Sequence, residues 1–280
     1  MDIVLTLLLA SVVLTVAFYR GFFFLPEKIA SVASISRSLV LKAVIFFFAL
    51  ELLLSPVLAV LFVSFATGIS IQGMEKMDPV TLAWVNSVSV ALSALGMYLF
   101  FRAQSFVCQE EVWGVATGME GRRAFLFGLL AWLVSYPLLV FFELSITIIM
   151  AQLGIDVEGD QVAVKQVKQV LGDPWAFGVL AFTVCVLAPF IEELVFRGFI
   201  QQGLKQFCSI RTSILITSVV FATIHFSKSQ GYSNILLIGT LFVLSCFLGF
   251  VREKKGSLWA SIGLHSTFNA INVSLIAATA

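Results

Sequence analysis

The chain of 280 residues is poor in charge: 12% of its residues are charged and 60% are hydrophobic. A soluble globular domain carries roughly 25% charged residues, so half of the usual solvated surface is missing. A large soluble protein with a big core does not explain so little charge. The sequence therefore predicts an all-α, polytopic bundle of membrane-spanning helices. The formal net charge of +1 gives no indication of a nucleic-acid partner, and none is expected.

Cysteine is also scarce. The four cysteines are scattered without a Cys-x-x-Cys pair, which gives no support to a thiol–disulfide relay or a structural zinc site. Each is expected to be a small apolar packing residue. No basic residue precedes the first apolar run, and no clear small-x-small cleavage site follows it. This run is therefore interpreted as a first span and not as a cleaved signal peptide.

Apolar runs that can cross about 30 Å of hydrocarbon need about 20 residues as a helix. The sequence has eight candidates, at 2–19, 39–71, 79–101, 124–153, 174–207, 212–226, 232–251 and 257–278, the second with a bend near Pro56. Two connections are longer: 102–123 is polar and of mixed charge, and 154–172 contains a short amphipathic helix predicted at the surface over 160–171. No internal repeat is visible. One integral domain is expected, with four spans in residues 1–153 and four in 174–278.

The basic residues indicate the orientation of these spans. Thirteen of the 17 Lys and Arg residues lie on odd-numbered connections, and four lie on even-numbered ones: Lys76, Lys165, Lys168 and Lys228. The positive-inside rule then makes the odd connections cytoplasmic. The sequence predicts a multi-pass membrane protein with both termini on the non-cytoplasmic side.

Ionisable residues interrupt the fifth apolar run. The stretch from Ala188 to Gly198 contains Glu192, Glu193 and Arg197 among apolar neighbours. If the run is one continuous helix, Glu192 lies near its middle, at membrane depth. A charge at the bilayer centre costs about 2.5–3.5 kcal/mol on insertion scales, so this cluster is a hypothesis for a functional site.

The two glutamates are expected to have different surroundings. Glu193 and Arg197 are four residues apart and can pair within one helix, so structural support is their simplest interpretation. Glu192 points about 100° away around the helix, and one arginine is not expected to satisfy both. Glu51 and Glu143 are further acids in apolar runs with no motif around them. Each is expected to be a hydrogen-bonding or rim residue.

Both histidines of the chain lie in later spans. The helical rise places His225 roughly 20 Å, and His265 about 12 Å, from the cytoplasmic side. Asn269 lies one turn deeper than His265, on the same face. An interhelical hydrogen bond is the alternative interpretation of each histidine. With tilted helices, these side chains and Glu192 are expected to meet at mid-depth.

One glutamate, two histidines and an asparagine suit the activation of a water molecule. The carboxylate takes a proton from water, a histidine orients or polarises it, and Asn or His donates to the oxyanion of an attacked carbonyl. Glu192, His225 and His265 also have the count of a catalytic zinc site, although the helical His-Glu-x-x-His signature is absent. Both routes stay open, and both predict hydrolysis, with a peptide bond as the expected target.

The polar residues form three short motifs on separate spans. In chain order they are Glu192-Glu193-x-x-x-Arg197, Phe221-x-x-x-His225 and His265-x-x-x-Asn269. This order resembles the CPBP family of intramembrane proteases, which includes CAAX-processing Rce1-like prenyl endopeptidases, Abi proteins and bacteriocin-processing enzymes. The resemblance covers roughly residues 174 to 275, and the first four spans show nothing that matches.

The resemblance implies a role for the residues around the reacting water. Glu192 would be the general base, assisted by His225. His265 and Asn269 would hold the oxyanion. In the other version, His265 would join Glu192 and His225 around a divalent metal ion, with zinc expected.

The remaining motif residues would complete the site. Glu193 and Arg197 would shape it or contact the substrate's C-terminal carboxylate, and Phe221 would pack near the cleft. The implied substrate is a membrane-associated peptide or lipidated protein that enters from the lipid bilayer. Two other classes stay open: a non-catalytic scaffold or bacteriocin-immunity protein on the same fold, and a proton-coupled transporter, whose usual inverted repeats are not visible.

Overall fold

The computed structural model describes residues 3–25, 34–68, 77–114, 119–155 and 162–280. In these ranges the chain folds into ten helices, which agrees with the predicted all-α membrane bundle. The helices are α1 Ile3–Tyr19, α2 Arg37–Thr67, α3 Pro79–Arg102, α4 Phe106–Trp113, α5 Met119–Gln152, α6 Val162–Val170, α7 Pro174–Leu204, α8 Ile210–Thr223, α9 Ser233–Lys255 and α10 Leu258–Thr279.

Five of these helices, α2, α3, α5, α7 and α9, are long and apolar enough to cross a membrane. The shorter apolar stretches Ala10–Tyr19 and Ile210–Thr223 belong to α1 and α8, and α10 has 22 residues. These eight helices coincide with the eight predicted spans. The membrane bundle is confirmed, and the number of eight crossings stays a prediction. The outer limits predicted for spans one and two, Asp2 and Ile71, lie outside the described residues.

The two short helices lie in the longer connections. α6 corresponds to the predicted amphipathic helix, whose first residues lie outside the described part of the chain. α4 lies within the connection 102–123, which the sequence predicts only to be polar and of mixed charge. The Ser105 hydroxyl accepts the N–H of Cys108 and caps α4, and Cys108 and Val112, one turn apart, are buried. Burial also raises the pKa of the Cys108 thiol, which agrees with its predicted packing role.

Wide helical turns interrupt α2 and α7 just ahead of a proline. Residues Leu50–Leu54 form a π-helical turn before Pro56, and Thr183–Leu187 form another before Pro189. Proline has no N–H to donate, and a local π turn is one adjustment by which a helix accommodates it. A third π segment, Leu194–Ile200, has no proline in it. The predicted bend near Pro56 thus takes the form of a widened turn.

α7 lies inside the bundle, where it presents the acidic motif to its neighbours. Every side chain from Leu194 to Phe199 is buried. The core around them contains buried residues of α2, α3, α4, α8 and α10. α7 is therefore enclosed by protein along the part that follows Glu193.

α10, which carries His265 and Asn269, packs closely against α5. A Cβ added at Gly263 would collide with the backbone carbonyl of Phe125, and one added at Gly128 would collide with that of Ala260. Small residues at such contacts allow two membrane helices to approach each other. The depth and rotation of α10 are therefore fixed by α5.

The odd-numbered connections meet at one end of the bundle. Side chains at the end of α9 and after α7 donate to backbone carbonyls of the first and third connections, in the pairs Lys254 with Phe24, Arg252 with Glu111 and Gln206 with Ile35. Successive spans that run in opposite directions bring every second connection to the same end of the bundle. The prediction that this end faces the cytoplasm comes from the distribution of basic residues.

Candidate active site

Glu193 and Arg197 form a fully buried ion pair within α7. Nη1 of Arg197 lies 3.0 Å from Oε1 of Glu193, and both side chains are 0% exposed. Nη2 donates to the hydroxyl of Ser245 in α9 at 2.7 Å, and the guanidinium carbon lies 4.5 Å from the centre of the Phe221 ring in α8. Arg197 is therefore fully buried and links α7, α8 and α9.

His265 reaches both glutamates of the motif from α10. Its Nδ1 lies 2.9 Å from Oε1 of Glu193, and its Nε2 lies 3.8 Å from Oε2 of Glu192. A carboxylate only accepts hydrogen bonds, so Nδ1 donates, and in the neutral ring Nε2 carries a lone pair. A separation of 3.8 Å is too long for a direct hydrogen bond, and one water molecule can bridge it. Glu193 thus has two partners: Arg197, which the sequence predicts, and His265.

His225 follows the end of α8 and is half-buried. Its Nδ1 lies 2.7 Å from the carbonyl oxygen of Phe221, which only accepts, so the neutral ring again has its lone pair on Nε2. The Phe221 ring contacts both imidazoles, with centroid distances of 4.9 Å to His225 and 5.9 Å to His265. Among the described residues, His225 has no hydrogen bond to Glu192. The structure thus brings His265 to Glu192 and places His225 beyond one aromatic ring.

Asn269 is held by the backbone of α7. Its Nδ2 donates to the carbonyl oxygen of Val184 at 2.7 Å. In the π turn around Val184, the N–H five residues further on would belong to Pro189, which has none. Asn269 therefore satisfies a carbonyl that the proline leaves free, and this bond ties α10 to α7 beside the glutamates.

A cavity of about 200 Å³ adjoins Glu192. Its wall is mostly apolar and comes from α2, α3, α7 and the residue after α8. Glu51 of α2 also lines it, although the sequence indicates no motif around this residue. Glu143 is exposed on α5 and is not among the lining residues. The sequence favours a hydrogen-bonding or rim role for Glu51 over lining of the site, because only the packing of α2 against α7 brings the two carboxylates to one cavity.

A larger cavity is unrelated to the motifs. It has about 640 Å³ and is lined by aromatic residues of α9 and of the segment after α1, together with Arg211. It contains none of the motif residues, so its size does not mark the site. The polar groups indicate the smaller cavity instead.

The predicted metal ligands are Glu192, His225 and His265. Over the described ranges, no group of three His, Cys, Asp or Glu side chains lies close enough to hold a metal ion. Nδ1 of each histidine is already hydrogen-bonded, and the two Nε2 atoms are on residues separated by Phe221. The arrangement does not fit a three-ligand metal site, so no chemical step is assigned to a metal ion.

Comparison with known proteins agrees with the motif analysis. Residues 174–271, about a third of the chain, match the family described as type II CAAX prenyl endopeptidase Rce1-like. No curated protein and no solved structure gives a match. The matched region runs from the start of α7 into α10 and contains all six predicted site residues. The resemblance to the CPBP proteases is thereby confirmed: residues 174–271 of this integral membrane protein are similar to the Rce1-like family.

Proposed function

We propose that the protein is an intramembrane endopeptidase in which Glu192 and His265 activate the water molecule that hydrolyses a peptide bond. The observation that carries this proposal is the meeting of α7 and α10 at Glu192, which also lines the cavity. His265 contacts both glutamates there, and Glu192 borders the space that a substrate can enter. The Rce1-like match supports the reaction class.

The attacking water is proposed to lie between Oε2 of Glu192 and Nε2 of His265. Both atoms accept hydrogen bonds, and their separation of 3.8 Å leaves room for one water molecule to donate to each. Glu192 takes one proton as the water oxygen forms its bond to the peptide carbonyl carbon. When the C–N bond breaks, its electron pair leaves with the amine, and the proton on Glu192 passes to that nitrogen. The carboxylate is then restored.

The other polar residues position these groups. The Glu193–Arg197 pair holds Nδ1 of His265 and so directs the lone pair of Nε2 towards Glu192. Arg197 is 0% exposed, which favours shaping of the site over contact with a substrate carboxylate. Asn269 keeps one amide N–H besides the one donated to Val184, and this N–H is the proposed oxyanion donor. His225 is assigned the assisting role through its Nε2.

We propose that a substrate enters the cavity from the lipid. Leu52 and Ile224 line it and are 70% and 39% exposed, at positions within or next to apolar helices. A substrate anchored by a lipid or an apolar segment can therefore reach Glu192 laterally. This supports a membrane-associated peptide or lipidated protein as substrate. We also propose that both termini face the non-cytoplasmic side, on the basis of the positive-inside distribution.

The test is cleavage of lipid-anchored reporter peptides by purified protein in liposomes. Glu192→Ala and His225→Ala are expected to abolish cleavage while the helical content and elution volume of the protein stay unchanged. Glu143→Gln is the matched control, because Glu143 lies in an apolar helix away from the cavity, and it should cleave like the wild type. Activity retained in Glu192→Ala would reject Glu192 as the base, and activity retained in His225→Ala would reject the assisting role of His225.

A glutamine variant of Glu192 distinguishes an enzyme from a non-catalytic scaffold or immunity protein. A Glu192→Gln protein keeps the shape of the side chain and loses the base. If it still restores the phenotype of a deletion strain, the protein acts by binding a partner. Loss of both cleavage and complementation is the result that an endopeptidase requires.

A further inference from the structure

Glu51 and Glu192 line one cavity from two different helices. Glu192 belongs to the Rce1-like region, whereas Glu51 is on α2, outside the matched residues. The rest of the wall consists of apolar side chains: Phe47, Phe48, Leu52, Val90, Ala188, Ile191 and Ile224. Two carboxylates in such a small apolar space determine which chemical groups can enter it.

The π turn of α2 places Glu51 at the border between core and lipid. Leu50 in this turn is 5% exposed, whereas Leu52 and Leu53 are 70% and 67% exposed. Glu51, between them, is half-buried and faces the cavity. The Ser93 hydroxyl of α3 donates to Ser55, and Glu51 lies close enough to Glu192 for an electrostatic interaction. The position of the acid at the cavity is therefore set by the π turn of α2.

The charges around the cavity are not balanced. The Arg197 guanidinium is paired with Glu193 and interacts electrostatically with Glu192, which also has His265 beside it, whereas Glu51 lies on the other wall of the cavity. Within the described part of the chain, neither Glu51 nor Glu192 forms an ion pair with a lysine or an arginine. Carboxylates at membrane depth are costly without a partner, so the cavity favours a group that brings positive charge.

We propose that Glu51 is a substrate-contacting residue that makes this cavity accept a lysine or arginine side chain of the substrate. The inference rests on the proposed endopeptidase function, and it names the side chain that lies beside the reacting bond. The aliphatic stem lies along Phe47, Phe48 and Leu52, and the cationic head binds Glu51. Oε2 of Glu192 stays turned towards His265.

The size and charge of the cavity agree with this occupant. A volume of about 200 Å³ is room for about seven water molecules at roughly 30 Å³ each, so it holds one side chain and not a whole peptide. The two carboxylates repel a free C-terminal carboxylate. An apolar side chain fits the wall and leaves the Glu51 carboxylate without a cationic partner. A long cationic side chain packs its apolar stem against the wall and pairs its charged head with the Glu51 carboxylate.

The proposal is tested by binding, which does not require catalysis. The probes are n-butylammonium and n-propylguanidinium, which reproduce the lysine and arginine side chains, with n-butanol as the uncharged comparison. Their dissociation constants would be measured by saturation-transfer NMR on the full-length protein in detergent micelles. The variant is Glu51→Gln, and Glu143→Gln is again the control for loss of an acid elsewhere in an apolar helix.

We expect both cations to bind the wild type and Glu143→Gln at least tenfold more tightly than Glu51→Gln, and n-butanol to bind all three alike. Equal cation binding to the wild type and Glu51→Gln would overturn the proposal. Zinc binding that is abolished by Glu51→Gln would also overturn it, because the carboxylates would then hold a metal ion. If Glu51→Gln does not fold, Glu51→Lys provides the cation from within the protein. This variant should be as stable as the wild type and bind neither cation, and cation binding to it would count against the idea.

A cleavage measurement then connects the cavity to the reaction. In a library of anchored peptides, wild-type cleavage should depend on one lysine or arginine near the scissile bond. In Glu51→Gln, the ratio of cleavage between lysine-containing and methionine-containing peptides should fall at least tenfold. If no peptide is cleaved and the cations still bind through Glu51, the endopeptidase proposal fails and the cation site stands. If peptides are cleaved without a cationic preference, Glu51 has no specificity role.

Discussion

Replacing Arg197 with methionine is expected to destabilise the bundle by about 3–5 kcal/mol, because it leaves the Glu193 carboxylate enclosed without its cation. Both side chains are 0% exposed and their charged atoms are 3.0 Å apart. At that distance and an effective dielectric constant of about 20, the attraction is about 5–6 kcal/mol. The variant also loses the hydrogen bond to Ser245 and the contact with the Phe221 ring.

The free energy of unfolding would be measured in mixed micelles by circular dichroism. Arg102→Met is the control, since Arg102 is exposed at the end of α3, and it should change the free energy by less than about 0.5 kcal/mol. The double variant Glu193→Gln/Arg197→Met removes both charges and should be more stable than Arg197→Met alone. If the double variant lost the sum of the two single effects, the pair would not be coupled, and the argument from the buried ion pair would be refuted.

Further predictions concern packing, capping and metal dependence. Gly263→Leu should lower the free energy of unfolding by about 1–3 kcal/mol, because the added side chain meets the carbonyl of Phe125, whereas Gly178→Leu, which points into open space, should cost little. Asp78→Ala should cost about 1 kcal/mol at neutral pH by removing the cap of α3. The hydrogen bond from the Thr81 hydroxyl lowers the pKa of Asp78, so this contribution is present above the unfolded pKa of about 3.9. It is lost as the pH falls through the lower folded pKa, and thermal unfolding of the two proteins should converge in acid. Cleavage by the purified protein should persist in a divalent-metal chelator, and activity lost to the chelator and restored by zinc would contradict the metal-free assignment.

Local spacing made part of the fold and site predictable. The apolar runs are long enough to indicate the spanning helices whichever neighbours they pack against. Glu193 and Arg197 are one helical turn apart, so their pairing depends only on the helix that contains them. His265 and Asn269 share a face of α10 for the same reason. Each of these predictions follows from one element at a time.

Contacts between distant elements could not be predicted from spacing. Glu51 reaches the cavity because α2 packs against α7, and a single glutamate in an apolar run does not reveal which helix it faces. The bond from Asn269 to Val184 depends on the π turn ahead of Pro189, a change of helical geometry that the sequence only indicates through the proline. α4 was missed because its apolar face consists mainly of Cys108 and Val112, too short a repeat to stand out in a polar connection.

The most direct test of the central claim is a comparison of protein termini in cells that carry either the wild-type protein or Glu192→Gln, by mass spectrometry of the membrane fraction. If Glu192 is the base of an endopeptidase, at least one membrane-associated protein or lipidated peptide will have a processed C-terminus in the wild type and an unprocessed one in the variant. Glu143→Gln should give the wild-type pattern. Identical termini in the wild type and Glu192→Gln, with both proteins folded and present in equal amounts, would contradict the proposed function.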